Sequence, residues 1–456
     1  MKVIVIGTNH AGTTAVRTLK RLDPSVTVTT YDRNDNISFL GCGIALWVKD
    51  EVKDPQGLFY ASPETLAAEG IEVHMQHEWV GINPDKKTVL IKNLKTDKTF
   101  EDSYDKLIVA TGSWPVQPPI PGINLNGVQI CKNYHHGKIL KEVNNDKNIE
   151  NITVVGAGYI GVELVEAFHE AGKKVTLIDV ADRIMPNYYG ENFTSLIEKR
   201  MTDAGVSLVL GEKVVEFVGQ KDKVIQVVTE NSVIDTDYVV FCLGIKPQTG
   251  MLQGIVDLAS NGSIKVDRYM QTSNSDIYAI GDCIEVYDNA TAKNHPIALA
   301  TTSVRTGILA AMNIIKPNSL PSPGFCGSNA IDVFGMKMAS VGITEKVAQS
   351  LNIDYDKIFF TDNDRPEFMS STKPVYLEII WDKTTRKIIG AQVAGENNHT
   401  EIIHMFSLGI WKGLTIDELP LVDMFFLPHF NKPYNFVTLA GLEVLGLNYF
   451  KKSDKK

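Results

Sequence analysis

A strand–glycine turn–helix–strand unit that occurs twice constrains this chain more than any other feature. Val3–Ile6 is a short β-branched run, Gly7–Gly12 a glycine-bounded turn, Ala15–Leu22 a stretch of helical apolar spacing, and Val26–Thr30 β-branched again. Together they have the length of one βαβ unit, roughly 30 residues. The same order returns at Ile152–Val155, Gly156–Gly161, Val162–Ala171 and Val175–Ile178. The echo extends to Asp105–Gly112 (DKLIVATG) and Asp237–Gly244 (DYVVFCLG), two strands that end in glycine. The expected fold is α/β: two doubly wound dinucleotide-binding domains from an internal duplication, followed by a separate α+β domain.

The 456 residues suit two or three domains. The expected division is 1–114 with 245–320 as a discontinuous first domain, 115–244 as the second, and 321–456 as the third. Trp114–Gly122 is proline-rich and reads as a stiff crossing between domains. Asn144–Glu150 is polar and reads as a surface lead-in; Pro317–Gly324 reads as a linker. Beyond it, Val375–Ile379 and Ile388–Val393 suggest an antiparallel hairpin, with helices near Glu401–Trp411 and Phe436–Leu445.

A net charge of −9 argues against nucleic acid or an anionic membrane as partner, since both demand a positive field. Five scattered cysteines, Cys42, Cys131, Cys242, Cys283 and Cys326, contain no CxxC pair and fit a reducing cytoplasm. Cys242 lies in a strand-like run and is expected to be buried. The opening MKVIVIG is too short for a signal peptide. The apolar stretch Phe436–Phe450 is broken by Gly441, Glu443 and Gly446, so no membrane span is expected, and Lys451–Lys456 reads as a solvated end. His135 and His136 have no partner cluster and are expected at the surface; no metal site is expected.

The first turn, Gly7-Thr8-Asn9-His10-Ala11-Gly12, departs from G-x-G-x-x-G in placing Asn9 at the second glycine. Asn tolerates unusual backbone angles, so backbone N–H groups of the following helix can still face a pyrophosphate. Asp32, twenty residues past Gly12, is suited to an adenosine ribose. A structural turn of any α/β protein remains the alternative. The second turn, Gly156-Ala157-Gly158-Tyr159-Ile160-Gly161, is a complete fingerprint, and Asp179 ends the next strand. A carboxylate there accepts from the free 2′-hydroxyl of NAD and repels the 2′-phosphate of NADP; no arginine directly follows it. In Tyr278-Ala279-Ile280-Gly281-Asp282, the aspartate is suited to a polyol such as flavins carry.

The ordered set Gly7…Gly12, Thr111-Gly112, Gly156…Gly161, Gly281-Asp282 resembles the pyridine-nucleotide–disulfide oxidoreductase superfamily across nearly the whole chain. Ser38-Phe39-Leu40-Gly41-Cys42-Gly43-Ile44-Ala45-Leu46-Trp47 resembles its single-cysteine branch of NADH oxidases, NADH peroxidases and coenzyme A–disulfide reductases. The run Phe425–Asn435 is similar to water-forming NADH oxidases. This resemblance implies FAD held by Gly7, Asn9, Ala11, Gly12, Asp32, Cys42, Thr111, Gly112, Gly281 and Asp282. It implies NADH held by Gly156, Gly158, Tyr159, Ile160, Gly161, Glu163, Asp179 and Gly244. It further implies that Tyr159 covers the flavin face and swings away for nicotinamide, and that His10 neighbours the redox sulfur. The C-terminal domain is implied to form a homodimer; Met424, Phe425, Phe426 and Phe430 could be buried there, or in ordinary core.

Relatives that carry C-x-x-x-x-C pair their two cysteines; here the second position is Trp47, so Cys42 stands alone. A lone thiol can cycle between thiolate and sulfenic acid. Gly41 and Gly43 are expected to leave room for an oxidant, and a helix starting near Gly43 to lower the thiol pKa. A buried structural cysteine is the alternative. The expected activity is four-electron reduction of O2 by two NADH, through FAD and Cys42. The rivals are an NADH peroxidase, a coenzyme A–disulfide reductase and a redox sensor. Coenzyme A relatives present a tyrosine-containing segment where this chain has Phe425-Phe426-Leu427-Pro428.

Overall fold

A computed structural model describes residues 1–447; Lys451–Lys456 and the end of the apolar stretch at Phe450 lie outside them. Two five-stranded parallel sheets carry the two glycine turns. The first has the order Ile277–Ala279, Lys106–Val109, Lys2–Ile6, Thr27–Asp32, Glu72–Met75. The second has the order Ser207–Leu210, Lys174–Asp179, Asn151–Val155, Tyr238–Phe241, Val128–Ile130. In each, the strand before the glycine turn is central. Val3, Ile4 and Val5 are fully buried, and so is Val154, because both faces of a parallel sheet are covered.

The duplication goes further than the glycine turns. Each parallel sheet carries a three-stranded antiparallel meander, His77–Asn83/Thr88–Asn93/Thr99–Ser103 in one and Val214–Gln220/Lys223–Thr229/Val233–Asp235 in the other. The proline-rich crossing begins as Ser113–Pro115, paired antiparallel with Ile245–Pro247 where the chain returns. The helices begin earlier than their apolar spacing suggests, at His10–Leu22 and Tyr159–Glu170, so the glycine turns are their first turns.

The C-terminal sheet is antiparallel, in the order Asn329–Val333, Met336–Gly342, Ile388–Gly395, Pro374–Asp382, Tyr355–Asn363. It contains the expected hairpin. Helices Ile403–Lys412 and Phe436–Val444 pack on it through Phe406, Ile410, Val437 and Ala440.

Three expectations need correction. Asn144 is not a surface residue: it ends helix Tyr134–Asn145, is buried, and donates from its amide to the Val48 carbonyl at 2.8 Å. His136 is half-buried, because its N–H is capped by Asn133 at 3.0 Å and its ring meets the edge of Trp114; His135 is exposed and pairs with Asp35. Cys242 is half-buried rather than buried. Phe425, Phe426 and Phe430 are exposed in the single chain, so they are not its core, while Met424 packs against the C-terminal core. No helix among the described residues is long and apolar enough to cross a membrane, and no group of three or more His, Cys, Asp or Glu among them is placed to hold a metal.

Candidate dinucleotide and thiol site

Why these glycines are glycines differs from one to the next. Gly7 and Gly156 adopt positive φ, 95° and 110°, and a Cβ on either would strike the neighbouring strand's backbone at Ala110 or Cys242. A Cβ on Gly12 or Gly161 would strike the carbonyl of Gly7 or Gly156, so the helix can meet the strand only without it. Asn9 and Gly158 are different. Asn9 has φ −88° and Gly158 −78°, which any residue adopts. The tolerance of Asn for unusual angles is therefore not what preserves the first turn. A Cβ on Gly158 meets no protein atom within 4 Å, and neither does one on Gly112 or Gly244. The open space over Gly158, at the start of a helix, is the shape and polarity a pyrophosphate needs.

Each turn is braced by the aspartate that ends the next strand. Asp32 is buried; it accepts from the N–H of Thr8 at 2.7 Å and from the N–H and side-chain amide of Asn34 at 2.8 and 2.9 Å. Burial pushes its carboxyl up. Asp179 accepts from the N–H of Ala157 at 2.5 Å and of Ala181 at 2.8 Å. A carboxylate accepts about four hydrogen bonds, so each retains capacity for a ribose hydroxyl.

Gly281, with φ 77°, sets Asp282 beside the first turn; a Cβ on Gly281 would lie 3.0 Å from that of Ala11. Asp282 accepts from the Ser113 hydroxyl at 2.9 Å and the Ser303 hydroxyl at 3.1 Å, and Lys132 donates to Ser113 at 3.1 Å. Sequence reasoning missed Lys132, Ser113 and Ser303, which stand in no motif. Ala11 packs under Gly281 and Gly307. Thr111 donates its hydroxyl to the Gln248 carbonyl at 2.6 Å, holding the returning chain against the first sheet. Ile160 is an exposed apolar side chain on the second turn. These residues fit both nucleotides.

Cys42 sits in the tight turn Gly41–Gly43, ahead of the short helix Ile44–Val48, and its side chain is exposed. Two expectations fail here. Gly43 is buried against Leu58, which a Cβ would strike, so its smallness serves packing rather than oxidant access. The thiol is pushed up, not down: surrounding protein disfavours the thiolate, and the Glu163 carboxylate adds to this. Trp47, at the second-cysteine position, is buried and stacked on Tyr134 with centroids 5.4 Å apart.

Glu163 acts on this thiol, while His10 and Tyr159 open the helices that follow the two glycine turns. Glu163 is half-buried, and its carboxyl is pushed up to about 7 by burial and by Glu166, against the pull of Lys49. Glu166 is held by Lys49 at 3.1 Å. The His10 ring is lowered by burial and favours its neutral form, with Asp282 opposing and Lys132 reinforcing. The Tyr159 hydroxyl bonds that of Tyr189 at 2.8 Å and also Asn329, and its ring meets the edge of Tyr188. Asn329 and the His10 partner Tyr60 are further residues that no sequence pattern marked. Cys131, Cys283 and Cys326 are buried, with the Cys131 thiol pushed up to about 12 by burial and the Cys283 thiol to about 11.

Two braced glycine turns on two parallel sheets define the class of α/β proteins that hold two dinucleotides in one chain. The family profile described as "Pyridine nucleotide-disulphide oxidoreductase" matches residues 1–307, and that family's dimerisation domain matches residues 330–434. The chain belongs to this family. It is 44% identical over 446 residues to an NADH oxidase of Enterococcus faecalis, covering 98% of this chain and 99% of that one. It is 41% identical over 477 residues to an NADH oxidase of Mycoplasma pneumoniae, covering 100% of both. Its structure is similar to that of a water-forming NADH oxidase from Lactobacillus brevis bound to NADH, with TM-score 0.95, 41% identity and 98% of each chain covered.

Proposed function

We propose that this chain is an FAD-dependent, water-forming NADH oxidase that converts O2, two NADH and two protons into two waters and two NAD⁺. Residues 1–114 with 245–320 hold FAD, 115–244 hold NADH, and 321–456 form the interface of a homodimer that buries Phe425, Phe426 and Phe430. The reading that Cys42 is the redox sulfur is carried by one observation. Cys42 is the exposed thiol of the chain, and it lies in the field of Glu163 at the start of the helix that follows the second glycine turn. Full-length likeness to NADH oxidases supports oxidase rather than peroxidase. The sparse, unpaired cysteines support a cytoplasmic setting.

Bound FAD supplies two-electron transfer between nicotinamide and oxygen. The chain's own residues do the rest. The turn at Gly156–Gly161 and Asp179 hold and select NADH; the turn at Gly7–Gly12, Asp32 and Asp282, with Lys132, hold the flavin nucleotide. The first NADH and one proton convert O2 to hydrogen peroxide. The Cys42 thiolate attacks one peroxide oxygen and the O–O bond breaks. With one proton, sulfenic acid and the first water form. The second NADH delivers a hydride equivalent to the sulfenic acid; the S–O bond breaks, restoring thiolate and releasing the second water. Glu163, titrating near 7, exchanges the Cys42 proton, and His10 hydrogen-bonds the oxygen that Cys42 carries.

The test is the NADH:O2 ratio, measured with a peroxide assay. Two NADH per O2 with no free peroxide is the expected result. Peroxide-dependent NADH loss without oxygen uptake would replace the oxidase with a peroxidase.

A further inference from the structure

Three segments far apart in sequence meet at Ser38. Ser38, fully buried with φ 58°, donates its N–H to the Thr8 carbonyl at 3.1 Å and its hydroxyl to the Ala61 carbonyl at 2.7 Å. The Cys42 segment also runs against the Tyr60 segment, through Leu40 N–H to the Leu58 carbonyl at 2.8 Å and a Phe39–Phe59 bridge. These ties bring Tyr60 to His10. The Tyr60 hydroxyl lies 3.0 Å from His10 Nδ1. The two rings are within 7° of parallel, with centroids 5.7 Å apart. Among the described residues, His10 Nε2 has no hydrogen-bond partner.

The 3.0 Å contact admits O–H···N or N–H···O. A phenol is a stronger donor than an imidazole N–H, and an imidazole nitrogen a stronger acceptor than a phenol oxygen, so O–H···N is favoured. A hydrogen bond at one ring nitrogen decides which nitrogen carries the proton. We propose that Tyr60 is a positioning residue: its hydroxyl donates to His10 Nδ1, fixes the Nε2–H tautomer, and makes His10 a neutral N–H donor to the oxygen carried by Cys42. Burial lowers the His10 ring, which favours its neutral form, and pushes the Tyr60 phenol up to about 12. Of the charged groups that act on His10, Asp282 works against this and Lys132 for it. The proposal rests on the Cys42 and His10 roles given above.

The experiment pairs a spectrum with a product ratio. Holoenzyme labelled with ¹⁵N-histidine reports the His10 tautomer, with His10→Asn assigning the signals. The Nε2–H form is expected in the native chain and a mixture of tautomers in Tyr60→Phe. Free peroxide, absent from the native products, is expected to appear with Tyr60→Phe, because the donor is then only part-time in place. Adding Tyr60→Phe to Cys42→Ser is expected to raise it no further. A native Nδ1–H tautomer, or a tautomer unchanged in Tyr60→Phe, overturns the proposal. A Cys42→Ser enzyme that releases no peroxide overturns the Cys42 role instead, while the tautomer still decides the Tyr60 role.

Discussion

The Tyr159 hydroxyl is hydrogen-bonded to Oδ1 of Asn329, which ties the second glycine turn to the antiparallel C-terminal sheet. If Tyr159 swings away to admit nicotinamide, that bond breaks at a net cost of about 1 kcal/mol. Asn329→Ala is then expected to tighten binding of NAD⁺, a non-reducing stand-in for NADH, by up to about fivefold. Fluorescence titration checks this; an unchanged dissociation constant would mean the tie is not broken on entry.

Gly158 and Gly161 stand three residues apart and should respond oppositely to alanine. At Gly161 the new Cβ strikes the Gly156 carbonyl, so Gly161→Ala is expected to cost about 1–3 kcal/mol of stability. At Gly158 the Cβ enters open space with an ordinary φ of −78°, so the melting temperature should hold while KM for NADH rises. Thermal melts with steady-state kinetics on both variants separate the two. An unaffected KM in Gly158→Ala would remove the pyrophosphate from that space.

Much of this was legible because the duplicated turns couple a local pattern to a fixed geometry. A strand, a glycine at positive φ and a helix start leave few folds open, so Gly7, Gly156, Asp32 and Asp179 could be placed by spacing alone. The antiparallel meanders were missed because short alternating runs such as His77–Asn83 look like many loops. Tyr60, Lys132 and Asn329 were missed for a different reason: their partners lie 50, 19 and 170 residues away, and only the folded chain brings them together. The direction of the Cys42 shift also escaped, since it depends first on burial by the folded chain and then on Glu163, which lies on the helix after the second glycine turn.

Asp179 braces its turn as well as facing a ribose, so its charge and its acceptor oxygens need separate variants. Asp179→Asn keeps one carbonyl acceptor for the Ala157 N–H but turns an amide NH2 toward the Ala181 N–H, so it is expected to narrow the preference for NADH over NADPH at a cost of about 1–3 kcal/mol. Asp179→Ala also strands the Ala157 N–H and should cost about 1–3 kcal/mol more. The ratio of kcat/KM for the two nucleotides, with melting temperatures, checks both; an unchanged ratio in Asp179→Asn would end its selective role.

Glu163 makes a pH-dependent contribution whose sign is fixed by its shift. Its carboxyl rises from the usual 4.5 to about 7, so the folded chain binds this proton more tightly than the unfolded one. That stability is full below about 4.5 and is lost as pH climbs through about 7. Glu163→Gln is expected to raise the melting temperature at pH 8, by at most about 3 kcal/mol in stability, and far less at pH 5. It should also move the midpoint of Cys42 alkylation by iodoacetamide to lower pH, because a negative charge beside the thiol is gone. A midpoint left in place would remove Glu163 from the thiol's surroundings.

The most direct test of the Cys42 cycle is the product of Cys42→Ser with saturating NADH and oxygen. Serine leaves the nucleotide sites intact but cannot take and return an oxygen atom. The expected result is continued NADH oxidation with about one free hydrogen peroxide for each NADH, the two-electron stoichiometry. Water alone, at two NADH per O2, would contradict a sulfenic acid on Cys42.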